Sequence, residues 1–249
     1  VGGLERTFLS VKVPYVDDAG AIAGISGVST DITDKRRAED LQRELGAAQE
    51  QAIEELETSR QETVERLARA IEMHDAETGA HVHRMASTAA LLAGLLGLER
   101  EQVLLLRAAA PMHDVGKIAT PDQILRKPGP LDEQERAVME QHTVVGNEIL
   151  AGSESNLLQM GARIALSHHE RFDGGGYPHG LKGSEIPLEA RIVAVADVFD
   201  ALLSDRPYRK AMTVAEAAGI IYEGRGTQFD PKVVDALLNH LELALELRG

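Results

Sequence analysis

The chain has 249 residues, enough for one substantial core or for one domain with appendages. Only 3% are aromatic and none is Cys or Trp, so a core must be built from Leu, Ala, Val and Ile, and disulfides and thiolate ligands are excluded. Against 26 Lys and Arg stand 40 Asp and Glu; the net charge of −14 opposes DNA and anionic lipid as partners, and no apolar run is long enough to span a membrane.

Residues 1–34 read as β structure. "RTFLSVKVPYV" alternates apolar and polar residues, "DDAG" is turn chemistry, and "AIAGISGVSTDIT" is a second Ile/Val-rich run. A lone hairpin is marginal in water, so this piece reads as the end of something larger. Residues 35–66 have no proline and one glycine, Gly46, which predicts a long helix. Leu41, Leu45, Ala48 and Ala52 follow a 4-3-4 spacing, and Ile53, Leu56, Arg60, Thr63 and Leu67 resume it after a slip. That stutter is the mark of a coiled coil, so a parallel homodimer through this linker helix is expected.

From Leu67 to residue 249 the pattern is helical, punctuated by seven prolines from Pro121 to Pro231. The fold class is therefore all-α, preceded by a long helix and a short hairpin. "DEQERAVMEQHTVVGNEIL" reads as one amphipathic helix with His142 near its middle.

Histidines and acids stand in odd company along this domain. In "ETGAH", Glu77 and His81 are spaced i, i+4, on one face of a helix. In "HDVGK", His113 and Asp114 follow the apolar "VLLLRAAAPM" and fall at the buried end of a helix. A carboxylate buried there costs several kcal/mol unless it is paired or metal-bound. Its two oxygens can bridge two cations. Lys117 lies on the same side, placed either to meet a phosphate or to pair with Asp114.

His168 and His169 in "SHHERFDGGGYPHG" are adjacent, so their side chains diverge by about 100°. They suit two neighbouring ions better than one. Asp197 interrupts the apolar helix "ARIVAVADVFDAL" and needs a strong partner. Arg206, Arg209 and Lys210 form a basic patch around a Pro-Tyr turn, with Arg forks suited to phosphates or a guanine edge.

Glu77, His81, His113, Asp114, His142, His168, His169 and Asp197 together offer more N/O donors than one octahedral ion can use. Two ions would use most of them, and Glu77 makes a third possible. Such ligands suit Fe, Mn, Zn, Co or Ni. Paired cations about 3.5–4 Å apart activate water and steady the attacking and leaving oxygens at phosphorus.

Two resemblances sharpen these expectations. "GVSTDITDKRRAE" is similar to the exit of a PAS sensor domain into its following helix, which implies a PAS remnant over residues 1–34. "HD…K", "HH", "DGGGYP", "ARIVAVADVFDAL", "DRPYRKA" and "TQFDP" resemble the HD-GYP phosphodiesterases from about residue 67 to 235. That resemblance implies a helical HD-superfamily fold and hydrolysis of cyclic di-GMP to pGpG, in some members on to GMP.

It further implies that His81, His113, Asp114, His142, His168, His169 and Asp197 bind metal. Asp114 and Lys117 would take catalytic roles, with Lys117 on a substrate phosphate and Arg206 and Arg209 on the nucleotide. Tyr177 and Pro178 belong to the signature loop, which lines the site and in the family is a docking point for GGDEF-domain cyclases. Glu77 departs from the aromatic residue of many members and resembles the extra ligand of three-metal sites, so two or three divalent ions are expected, iron or manganese foremost. Absence of cysteine and of a signal peptide leads us to expect a cytoplasmic location, and Val1 in place of Met an upstream part that could carry a membrane tether. The competing readings are a phosphohydrolase for another cyclic dinucleotide and a catalytically idle docking module.

Overall fold

A computed structural model of the chain describes residues 5–74, 80–205 and 210–248. They fall in two compact units, Val1–Ser59 and Arg60–Gly249. In the first, β1 (Phe8–Val16) and β2 (Ile22–Asp31) pair antiparallel, Phe8 opposite Asp31 and Val11 opposite Val28. The Asp17 carboxylate closes the turn by accepting from the amides of Ala19 and Ala21. Apolar side chains on both strands, from Phe8 to Val28, are more than half exposed, so neither face of the hairpin is packed within this unit.

Asp31 then receives the amide and hydroxyl of Thr33, which turns the chain into α1 (Thr33–His74). Leu41, Leu45, Ile53 and Leu56 on this helix are exposed.

The second unit is helical. It holds α2 (Ala80–Leu95), α3 (Arg100–Ala109), α4 (Asp122–Leu125), α5 (Glu133–Glu140), α6 (His142–Leu150), α7 (Asn156–Ser167), α8 (Leu188–Leu202), α9 (Val214–Glu223), α10 (Pro231–Asn239) and α11 (Leu241–Glu246), of which α4 and α5 bury no residue. Three-residue and five-residue 3₁₀ turns, Ala110–Met112 and Val115–Ala119, join α3 to α4. α7 shows why the fold closes: Leu157, Met160, Gly161, Ile164 and Ala165 recur at helical spacing and are all buried. Leu92, Leu106, Ile192, Phe199, Ile221 and Leu237 face the same interior, each contributing roughly 1.5–3 kcal/mol. Capping boxes at Asp132/Glu135 and Thr213/Glu216 start α5 and α9, and Asp230 with Pro231 starts α10.

The single helix read across residues 132–150 is corrected by the structure: it breaks at Gln141 into α5 and α6. Two side chains take over the carbonyls of the last turn of α5. The imidazole of His142 donates from Nδ1 to Met139 O (2.7 Å), and Thr143 Oγ1 donates to Glu140 O (2.9 Å). His142 thus opens a helix instead of lying within one. At Gly116 the 3₁₀ turn touches the backbone of α6 so closely that no Cβ fits.

Candidate metal centre

Five segments deliver the donors to one place. His81 comes from the first turn of α2, His113 and Asp114 from the link between the 3₁₀ turns, and His142 from the start of α6. His168 and His169 follow α7, and Asp197 lies in α8. His81, His113, His142 and His168 are all buried. Donor atoms of Asp114, His142, His168 and His169 lie within 4.8 Å of one another, and so do those of His81, His113 and Asp197.

Asp114 joins the two groups. Its Oδ2 is 3.2 Å from His113 Nε2 and 2.8 Å from Lys117 Nζ. Its Oδ1 faces His142 Nε2 at 3.4 Å and His168 Nε2 at 3.6 Å.

The imidazoles are aimed by their other nitrogen. His113 Nδ1 donates to Ala110 O, and His168 Nδ1 to Ile164 O and Ala165 O, each at 3.1 Å. A carbonyl can only accept, so these rings and His142 keep a proton on Nδ1 and turn Nε2 inward as the atom that can bind a metal. There, Nε2 of His113, His142 and His168 and Oδ1 of Asp114 are buried without a hydrogen-bond partner. Each such atom costs about 1–3 kcal/mol in a dry interior. The donor set, convergent and free of sulfur, fits divalent metal ions, which would satisfy those atoms together.

Electrostatics prepares that state at most of these groups and opposes it at His113. Burial opposes the charge on Asp114, yet Lys117 and His113 hold its carboxyl well below the usual range. Burial opposes Asp197 too, and the contacts with His81 and His113 keep it low. Burial also works against a charged His113, but Asp114 and Asp197 outweigh it and raise the imidazole to about 9. His142 is pushed down by burial to about 4, and His169 is pushed well below its ordinary value by burial and by His168. The ionised carboxylates and the neutral His142 and His169 are the protonation states that metal coordination requires, whereas His113, kept protonated by Asp114 and Asp197, must give up a proton to a metal.

The "GYP" loop is fastened against this cluster. Tyr177 stacks on His169 with ring centroids 4.8 Å apart, and its amide donates to His169 O at 3.3 Å. Burial raises the Tyr177 hydroxyl above its ordinary range, so the phenol stays neutral. Gly176 lies so close to the backbone of residues 169–171 that a Cβ would meet Arg171 N at 2.3 Å. Pro178 follows through a cis bond and is half-buried. Glu77, Arg206 and Arg209 lie outside the described residues.

Two acids of consequence were not singled out by the sequence reading. Glu170 is buried and accepts from the amides of His179 (2.8 Å) and Leu181 (3.0 Å), holding the loop from inside. Asp200 is fully buried and accepts from His81 Nδ1 at 2.7 Å. The available signal was position: Glu170 follows the paired histidines, and Asp200 stands one turn after Asp197 on the same apolar helix.

A family model described as HD domain matches residues 65–233. The chain is 54% identical over 204 residues to the cyclic di-GMP phosphodiesterase response regulator RpfG of Xanthomonas campestris pv. campestris (strain 8004), covering 82% of this chain and 53% of that protein. It is 45% identical over 193 residues to 3′3′-cGAMP-specific phosphodiesterase 2 of Vibrio cholerae serotype O1, covering 78% and 37% respectively. The crystal structure of the V. cholerae cyclic GMP-AMP specific phosphodiesterase V-cGAP3 has a similar fold. Its TM-score is 0.59 at 22% identity, over 76% of this chain and 51% of that one. The chain spans about half, or less, of the length of the relatives it matches.

Proposed function

Because the chain belongs to the HD-domain family, and with its HD pair, adjacent histidines and GYP loop to the HD-GYP branch, we propose that it is a metal-dependent phosphodiesterase that hydrolyses cyclic di-GMP. The observation that carries this reading is the meeting of two donor groups at one half-buried carboxylate, Asp114. Asp114, His142, His168 and His169 would hold one cation, and His81, His113 and Asp197 its neighbour. Glu77 would supply a third site. Iron or manganese suits this mixture of imidazole and carboxylate. When bound, such ions activate water and stabilise the attacking and leaving oxygens at phosphorus.

The chain's own residues do the rest. Lys117 Nζ, held at Asp114, can pass to a non-bridging phosphate oxygen and steady its charge, or give a proton to the leaving 3′ oxygen. Tyr177 and Pro178 wall the site beside His169, and Arg206 and Arg209 would grip the nucleotide. The product is pGpG, with GMP after a further cut.

The name of the 45% identical relative favours 3′3′-cGAMP as the second substrate to test. Turnover of both dinucleotides by the manganese- or iron-loaded protein decides. Hydrolysis of cyclic di-GMP is expected, and Asp114→Ala should abolish both metal content and turnover. Cleavage of neither substrate by the loaded wild type would sink the proposal and leave a docking module.

The exposed Leu41, Leu45, Ile53 and Leu56 on α1 support a homodimer through residues 35–66. The unpacked hairpin supports a PAS remnant over residues 1–34, ahead of a catalytic domain at 67–249, with output governed by an upstream sensor. No helix among the described residues is long and apolar enough to cross a membrane. A cytoplasmic setting remains our proposal, as does a GGDEF-domain cyclase docking at Tyr177–Pro178.

A further inference from the structure

His81 is oriented differently from the other buried imidazoles. His113, His142 and His168 are each aimed by a carbonyl three or four residues earlier in the chain. His81 instead gives Nδ1 to the carboxylate of Asp200, 119 residues away on α8, while its Nε2 faces Asp197 Oδ1 at 3.2 Å.

Asp200 is itself held. Arg84, one turn after His81 on α2, reaches it with two bonds, Nε to Oδ1 at 2.8 Å and Nη2 to Oδ2 at 2.9 Å. Arg248, in the turn after α11, donates to Asp200 Oδ1 and also reaches Leu203 O (3.1 Å) and Ser204 Oγ (3.2 Å). Ser204 adds a hydroxyl at 3.2 Å. Burial opposes an ionised Asp200, and the bonds from His81 and Arg84 and the charge of Arg248 keep its carboxyl below the ordinary range.

Resting on the metal-site reading above, we infer that Asp200 is the positioning residue that fixes His81 with its proton on Nδ1 and its lone pair on Nε2 toward Asp197 and His113. Arg84 and Arg248 hold Asp200 in place, so the turn after α11 bears on metal retention at that one group. A purely structural ion cluster would need only two arginines and a carboxylate. Here the carboxylate spends one oxygen on a ring whose other nitrogen belongs to a donor group. A carboxylate accepting from such a ring fixes its tautomer and raises its basicity, and losing it lowers metal affinity by about 10–100-fold.

The probe is zinc, which is diamagnetic and taken by imidazole and carboxylate donors. In the zinc-loaded wild type, nitrogen-15 NMR of His81 should show the proton on Nδ1. Asp200→Asn can turn its amide toward His81 and favour the proton on Nε2. Titration should then show one weak site, loosened about 10–100-fold, while the site at Asp114, His142, His168 and His169 keeps its affinity. Arg248→Met, which leaves Arg84 on Asp200, should weaken the same site by less and restore on Arg248→Lys. Equal loss at both sites would mark general unfolding and overturn the inference, as would wild-type zinc affinity in Asp200→Asn or an Nε2–H tautomer in the wild type. A protein that takes up zinc with the wrong His81 tautomer refutes only this inference, whereas one that takes up none refutes the metal site itself.

Discussion

Replacing Gly116 with alanine would put a methyl group 1.9 Å from the carbonyl oxygen of His142 and 2.5 Å from the amide nitrogen of Gly146. Both neighbours are backbone, so no side chain can swing aside. Non-bonded heavy atoms settle at about 3.5 Å, so the 3₁₀ turn and α6 must part by about 1.6 Å. Overpacking of this kind costs about 1–3 kcal/mol, which a domain of ordinary stability survives. The displacement falls on the site, because the turn carries Lys117 just past Asp114 and α6 begins at His142. A misplacement near 1 Å costs about 10²-fold in rate. Gly116→Ala should therefore stay folded, with a modest drop in melting temperature, and lose about 10²-fold in kcat/KM for cyclic di-GMP. Thermal denaturation and steady-state kinetics on the same preparation separate the two effects. Wild-type kcat/KM and zinc affinity in a folded Gly116→Ala protein would refute the claim that this contact sets the geometry.

The metal-free chain should be most stable near pH 6.5. His142, pushed down to about 4, and His169, pushed well below its ordinary value, are neutral when folded, so the unfolded chain takes up their protons first and stability falls as pH drops below about 6.5. The His142 share is on the order of 3 kcal/mol. His113, raised to about 9, acts oppositely: its contribution is complete below about 6.5 and is lost as pH climbs through about 9. Urea midpoints of chelator-treated protein across pH check this, and a flat profile refutes it. Glu170→Gln leaves one acceptor for two amides and should cost about 1–3 kcal/mol. Hydrogen exchange at His179 and Leu181 should speed up, and unchanged protection would show that the loop is held by other means. Leu45→Lys with Leu56→Lys should convert a dimer to a monomer in sedimentation, and a dimer that persists would place the interface elsewhere.

The donors could be read from the sequence because each one violates its surroundings. Asp197 breaks an apolar helix, and His113 and Asp114 end an apolar run, so burial and charge conflict on the page. The helical architecture was legible for the same reason, as the stripe in α7 shows. What could not be read is what faces what across long separations. Asp200 differs from Asp197 only in being one turn later, and its partners His81, Arg84 and Arg248 lie 119, 116 and 48 residues away. Glu170 acts on amides nine and eleven residues ahead, which depends on the path of a glycine-rich loop rather than on spacing.

The break at Gln141 belongs to the same problem, and it shows how three of the imidazoles are aimed. The last carbonyls of a helix have no partner within it. His113 follows the end of α3 and its 3₁₀ turn, His168 caps α7, and His142 comes just past α5. Each finds a carbonyl of the last turn within reach of Nδ1: Ala110 O and Ile164 O also accept the histidine's own amide, and the added bond from Nδ1 aims Nε2 inward. Had residues 133–150 run as one unbroken helix, Met139 O would bond to the amide of Thr143 instead. The imidazole at 142 would then lose the anchor that fixes its tautomer. Three of the donors stand just past helix ends because the carbonyls there have a lone pair open to an imidazole.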